Sequence, residues 1–165
     1  MNVAIILAGG SGTRLGGEMP KQFYKIAGKM VIEHTLDVFQ SHKDIHEIVV
    51  VSNPDFVNEV ENITIKNQYT KLKKILKGGN ERYQSSLAAI ASYDTDDNIN
   101  LLFHDSVRPL VNKRIISDVI SALNNYNAVD VAVRTTDTII QASNDNLIEG
   151  IPEREIKKWS NTTRI

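Results

Sequence analysis

Apolar residues fall along this chain in two alternating kinds of run. Val3-Ala4-Ile5-Ile6-Leu7 is continuous and stops at Gly9-Gly10, the pattern of a strand buried on both faces of a parallel sheet. Residues 30–40 carry Met30, Val31, Leu36, Val38 and Phe39, which predicts a helix entered near Gly28. Residues 47–51 read as a second strand, closed by Ser52-Asn53-Pro54. A helix over 55–63 follows, then a short strand over 74–76 before Gly78-Gly79. The next helix spans 82–93, with Leu87, Ala88, Ile90 and Ala91 expected to face inward. A strand over 101–103 precedes a helix over 113–124, where Ile116, Val119, Ile120 and Leu123 have helical spacing. Strands over 129–133 and 138–141 complete the pattern. Such alternation predicts an α/β fold, a Rossmann-like, mostly parallel sheet flanked by helices. Ligands then belong at the carboxyl ends of the strands. With no repeat, low-complexity tract or linker, residues 1–165 read as a single domain.

Composition narrows the functional classes. The chain is 41% hydrophobic and 24% charged, as a globular domain is. A formal net charge of −1 gives no global attraction to nucleic acid or anionic membrane, so neither is an expected partner. Any phosphate binding must come from a local constellation. The absence of cysteine excludes disulfides and thiolate metal sites and fits a reducing, cytoplasmic location. The opening apolar run is too short for a signal sequence or a membrane span.

The first strand runs directly into Leu7-Ala8-Gly9-Gly10-Ser11-Gly12-Thr13-Arg14-Leu15-Gly16, followed by Pro20-Lys21-Gln22. Glycines there permit close approach of backbone amides to a phosphate and positive φ. Arg14 adds a fork of charged donors and Lys21 a second cation. A flexible turn with two solvated cations would use the same letters. Two familiar phosphate loops fail on residues. No Gly-Lys-Ser/Thr occurs, and a G-x-G-x-x-G frame places Leu15 at its third glycine or Arg14 at its second. A dinucleotide-binding oxidoreductase domain is thereby disfavoured.

Leu-Ala-Gly-Gly-x-Gly-x-Arg followed by Pro-Lys-Gln resembles the signature loop of sugar nucleotidyltransferases. The form Pro20-Lys21-Gln22-Phe23, with Gly78-Gly79-Asn80-Glu81-Arg82 and His104-Asp105-Ser106-Val107-Arg108-Pro109, resembles the methylerythritol-phosphate and ribitol-5-phosphate cytidylyltransferase family. Ordered matches run over 3–154. The resemblance implies a fold of the nucleotide-diphospho-sugar transferase type. It also implies a reaction in which a polyol phosphate oxygen attacks the α-phosphorus of CTP and pyrophosphate leaves. On this resemblance Leu7, Ala8, Gly9, Gly10 and Gly12 line the nucleotide. Arg14 and Lys21 stabilise transition-state charge by electrostatics and positioning. Gly79, Asn80, Glu81, Arg82 and Ser85 match the second nucleotide loop, although a glycine turn and helix cap would read alike. Asp105 suits an oxygen-ligated Mg²⁺ bridging triphosphate oxygens, or else caps a turn.

Around these, Arg108 reads as a structural partner for a carboxylate and His104 as a packing or hydrogen-bonding residue. His34, His42 and His46 are expected at the surface. Thr138, within Arg134-Thr135-Thr136-Asp137-Thr138, and Arg154, within Ile151-Pro152-Glu153-Arg154, resemble acceptor-binding positions. These last segments, with Ser106-Val107-Arg108, look more like ribitol-type members. The expected function is conversion of CTP and D-ribitol 5-phosphate to CDP-ribitol. The alternatives are the 2-C-methyl-D-erythritol 4-phosphate reaction of isoprenoid synthesis and an inactive CTP-binding fragment. The family commonly forms homodimers through an arm, for which 140–154 is the candidate. After Arg154 it usually continues through a Gly-Gln-Thr-Pro-Gln-like stretch. Here Glu155-Ile156-Lys157-Lys158-Trp159 follows instead, and truncation at the carboxyl terminus is the expectation.

Overall fold

A computed structural model describes residues 1–10, 19–94, 98–132, 141–142 and 148–150. Strand β1 (Asn2–Ala8) is central, because its residues from Val3 to Ile6 offer nothing polar to either face. It pairs in parallel with β4 (Glu47–Ser52) on one side and β6 (Asn100–Asp105) on the other. Strand β5 (Leu72–Lys77) pairs in parallel with β4, giving the order β5-β4-β1-β6. The chain therefore steps outward from β1 through β4 to β5, then returns to the opposite side of β1. That reversal is the switch point at which open α/β sheets bind ligands.

Period-two alternation divides the core between two faces. Ala4, Ile6, Ile48, Val50 and Leu102 share one apolar cluster with Ile32, Leu36, Phe39, Val60, Ile63, Ile116 and Val119. These come from helices α1 (Val31–Gln40), α2 (Val57–Asn67) and α4 (Lys113–Ala122). Val3, Ile5, Val49 and Val51 form the other cluster with Ala89 of helix α3 (Arg82–Ile90). Burying each large aliphatic side chain stabilises the fold by about 1.5–3 kcal/mol.

Four local features differ from the sequence expectations. Strand β5 begins at Leu72, two residues before the expected start, because Lys73 and Lys74 interrupt the apolar run. Lys73 and Lys77 are exposed, and charge along a margin discourages pairing with other chains. Gly28 lies in a hairpin ahead of α1, between β2 (Lys25–Ile26) and β3 (Lys29–Met30). Ala27 (φ 50°) and Gly28 (φ 84°) both have positive φ, as a two-residue type I′ connection requires. Helix α3 presents Ser85 and Ala89 to the sheet, while Leu87 and Ile90 are exposed. Small residues at i and i+4 let the helix lie close over the strands, which turns the larger apolar residues outward. Finally, His42 is buried: its Nε2 meets the Lys113 carbonyl and Ser117 Oγ at 3.2 and 3.1 Å.

Of the strand expected over 129–133, the described residues contain a bridge at Val131. Gln141–Ala142 (β7) and Ile148–Gly150 (β8) pair antiparallel. No described helix is long and apolar enough to cross a membrane.

Candidate active site

Three strand ends build one cleft of about 470 Å³, within the usual range for small-molecule sites. The exit of β1 supplies Leu7, Gly9 and Gly10. The segment before the hairpin supplies Lys21 and Gln22. The β5–α3 connection adds Gly79, Asn80, Glu81, Arg82 and Ser85, and the exit of β6 adds Asp105, Ser106 and Val107. Ten residues expected at the site therefore share one cavity, although they lie as far apart in sequence as Leu7 and Asp105. Ala8 sits beneath this wall, its side chain in the core. Gly12, Arg14, Thr138 and Arg154 lie outside the described residues.

The glycines serve space rather than unusual dihedrals. Among the described glycines, positive φ occurs at Gly28 and not in the cleft. A Cβ on Gly78 would come within 2.8 Å of Ser85 Oγ, and one on Gly9 within 3.3 Å of the same atom. The Ser85 side chain thus fits between the exits of β1 and β5. A Cβ on Gly79 would meet Cβ of Gln84 at 2.4 Å. Gln84 Oε1 accepts the Glu81 N–H at 3.0 Å, which caps the first turn of α3. Gly10 has open space where a Cβ would stand.

Asp105 organises the opposite wall. Its Oδ1 accepts from Arg82 Nη1 at 2.5 Å and its Oδ2 from Arg108 Nε at 2.8 Å. Arg108 is thus the carboxylate partner that the sequence suggested. The turn after β6 is further tied by Ser106 N–H to the Leu7 carbonyl at 3.0 Å and Thr35 Oγ1 to the Ser106 carbonyl at 3.0 Å. His104 is fully buried against Phe39, and its Nε2 donates to the Arg108 carbonyl at 3.0 Å. Burial pushes its pKa down, outweighing the neighbouring carbonyl and Asp105 carboxylate. It is a packing and hydrogen-bonding residue, as expected.

Magnesium can be tested against this donor set. The described residues contain no cluster of three acidic or histidine side chains. Asp105 has four lone-pair positions, two of them used by the arginines. One carboxylate completed by substrate phosphates is an ordinary arrangement for this hard cation. The residues therefore fit magnesium only as a companion of a polyphosphate, for which Asp105 would be the protein ligand.

Gln22, Ser106 and Val107 line the cleft without having been assigned a role from sequence. Gln22 had a signal, its place beside Lys21 in Pro-Lys-Gln, but its contacts depend on tertiary structure.

The family model for 2-C-methyl-D-erythritol 4-phosphate cytidylyltransferase (IspD) matches residues 2–163. The chain belongs to this family. A similar protein is the bifunctional ribulose 5-phosphate reductase/CDP-ribitol pyrophosphorylase Bcs1 of Haemophilus influenzae. It is 49% identical over 155 residues, covering 93% of this chain and 33% of that protein. The 2-C-methyl-D-erythritol 4-phosphate cytidylyltransferase of Thermobifida fusca is 39% identical, covering 92% of this chain and 63% of that one. The IspD-family chain thus spans between a third and two thirds of the length of these relatives. Among solved structures, 4-diphosphocytidyl-2C-methyl-D-erythritol synthase from Anaerococcus prevotii superposes with a TM-score of 0.80 at 27% identity. The match covers 94% of this chain and 66% of that one.

Proposed function

We propose that this chain carries the nucleotide-binding part of a cytidylyltransferase that converts CTP and D-ribitol 5-phosphate to CDP-ribitol and pyrophosphate. The observation that carries the reading is the convergence of Lys21, Arg82, Ser85 and Asp105 on one cleft at the sheet's switch point. A phosphate oxygen of the acceptor attacks the α-phosphorus of CTP, the bond to the bridging oxygen breaks, and its electron pair leaves with pyrophosphate. Lys21 and Arg14 stabilise the accumulating charge. Ser85 Oγ and the amides of the β5–α3 turn hold the nucleotide. Thr138 and Arg154 receive the acceptor. Magnesium, when bound, neutralises charge on the triphosphate. The reaction belongs to the cytoplasm, and the active form to a homodimer joined through 140–154.

The ribitol acceptor is supported by the 49% identity to a protein named for CDP-ribitol formation. The second reading, 2-C-methyl-D-erythritol 4-phosphate as acceptor, is supported by the Thermobifida relative. A third reading is CTP binding without turnover. Coupled pyrophosphate release with each acceptor in turn, beside calorimetric titration of CTP, separates the three. Release with ribitol 5-phosphate alone is expected. No CTP binding at millimolar nucleotide would overturn all three.

A further inference from the structure

From the geometry we infer that Gln22 is the positioning residue that makes the glycine wall receptive to anions. This rests on the proposed nucleotide site. The Gln22 side chain is 3% exposed, and its Nε2 donates to two backbone carbonyls, Ala8 at 2.8 Å and Gly10 at 3.1 Å. One nitrogen with two hydrogens serves both carbonyls, and the primary amide does so without adding a buried charge.

Its placement is fixed from below. Phe23, the next residue, is buried and stacks on Phe56 with ring centroids 5.1 Å apart. Phe23 N–H also bonds the Pro20 carbonyl at 3.0 Å, closing a 3-10 turn over Lys21–Phe23. The turn carries Lys21 into the cleft on the same rigid unit. One amide therefore ties the Lys21 backbone to both ends of Ala8-Gly9-Gly10, across twelve to fourteen residues of sequence.

The electrostatic consequence concerns the two carbonyls. Each carries partial negative charge, and a polyphosphate against Gly9 and Gly10 would be repelled by oxygens turned toward it. Gln22 draws both oxygens into hydrogen bonds. In a trans peptide the N–H points opposite to the C=O, so the Ala8 carbonyl, held by Gln22 together with the Asn53 N–H, keeps the Gly9 N–H on the other side. Gln22 thereby sets the polarity of a wall whose glycines leave room for a ligand.

The test is Gln22→Met, which keeps length and bulk but donates nothing, beside Gln22→Glu, which replaces the donors with acceptors. Stability should change little in the Met variant. The Ala8 carbonyl retains the Asn53 N–H at 3.3 Å, and Gly10 is exposed to water. CTP and CMP are titrated calorimetrically into each folded variant. The expected result for Gln22→Met is a loss of about tenfold for CTP and clearly less for CMP, with a larger CTP loss for Gln22→Glu. Equal loss for both nucleotides, or wild-type affinity for both, overturns the inference. Amide exchange at Gly9 without ligand is a readout independent of the functional reading. Faster exchange in Gln22→Met supports the pinning, and unchanged exchange overturns it. A wild-type chain that binds neither nucleotide defeats the nucleotide site, and with it the anion role of Gln22, even where exchange confirms the pinning.

Discussion

Arg82 and Asp105 face each other across the mouth of the cleft and form an ion pair with Nη1–Oδ1 at 2.5 Å. The first residue of α3 is thereby tied to the last residue of β6. Arg82 is half exposed whereas Asp105 is only 14% exposed. The carboxylate is the fixed member and the guanidinium the one free to turn. A triphosphate entering the cleft offers Arg82 a more highly charged partner, and its transfer would leave Oδ1 open to a cation.

For this reason Asp105→Asn is expected to weaken magnesium-dependent CTP binding. Asn keeps the shape and one oxygen but loses the charge that holds a hard cation. Both ion pairs involve partly exposed arginines, so their loss costs no more than about 1 kcal/mol each. Calorimetric titration with and without magnesium checks this. The same magnesium dependence in wild type and variant would contradict a metal role.

Lys21→Ala should reduce turnover far more than stability. The residue lines the cleft from a short turn, while neighbouring Phe23 supplies the packing. Removing one transition-state cation costs about 3 kcal/mol, a hundredfold in rate. Pyrophosphate release at saturating CTP, compared with the thermal midpoint, gives both quantities. Unchanged turnover would remove Lys21 from the chemistry.

Gly79→Ala and Gly10→Ala should separate two uses of glycine. At position 79 the added carbon meets Gln84 Cβ at 2.4 Å, displacing the side chain that caps Glu81 N–H. A loss of about 1–3 kcal/mol is expected. At position 10 the carbon meets nothing within 4 Å, so stability should change by less than about 0.5 kcal/mol. Any effect there should appear in CTP affinity. Denaturant melts of the two variants would refute this if their midpoints moved equally.

Stability should fall in two steps on the acid side. His104 has its pKa lowered in the fold by burial, so below its ordinary 6.5 the unfolded chain takes up a proton that the folded chain refuses. Stability is full above that value and declines as pH drops through it. Glu33 is buried, which acts to raise its pKa. The Met30 N–H, Asn67 and Lys66 outweigh burial, and the net direction is down. Its contribution is present above about the ordinary 4.5 and is lost as pH falls through the lower folded value. Thermal midpoints from pH 8 to pH 3 check both steps. His104→Gln should flatten the first and Glu33→Gln the second.

Strands β1 and β4 were legible because doubly buried strands are written as uninterrupted apolar runs, and β6 because Leu101-Leu102-Phe103 forms a short apolar run. The hairpin at Ala27-Gly28 was not, since Ala is an uncommon choice for positive φ and gives no turn signal. The inward face of α3 departs from the apolar spacing, which favours Leu87 and Ile90, because close approach to the sheet selects Ser85 and Ala89. Much of the site was readable, since its residues cluster in three motifs that each follow a strand. What those motifs left out was contact: the hold of Gln22 on Ala8 and Gly10, the seat of Ser85 between Gly9 and Gly78, and the pairing of Arg82 with Asp105. Each joins segments at least seven residues apart, and the sheet order brings them together.

That order has a mechanical consequence. The cleft draws its walls from the centre of the sheet at β1 and from both flanks of the four-stranded array, β5 and β6. A ligand seated across them acts as a staple, since fraying of either flank would release it. Binding energy is therefore shared with the cohesion of the sheet. Substitutions along β5, remote from any phosphate, should then register as weakened nucleotide affinity before they register as unfolding.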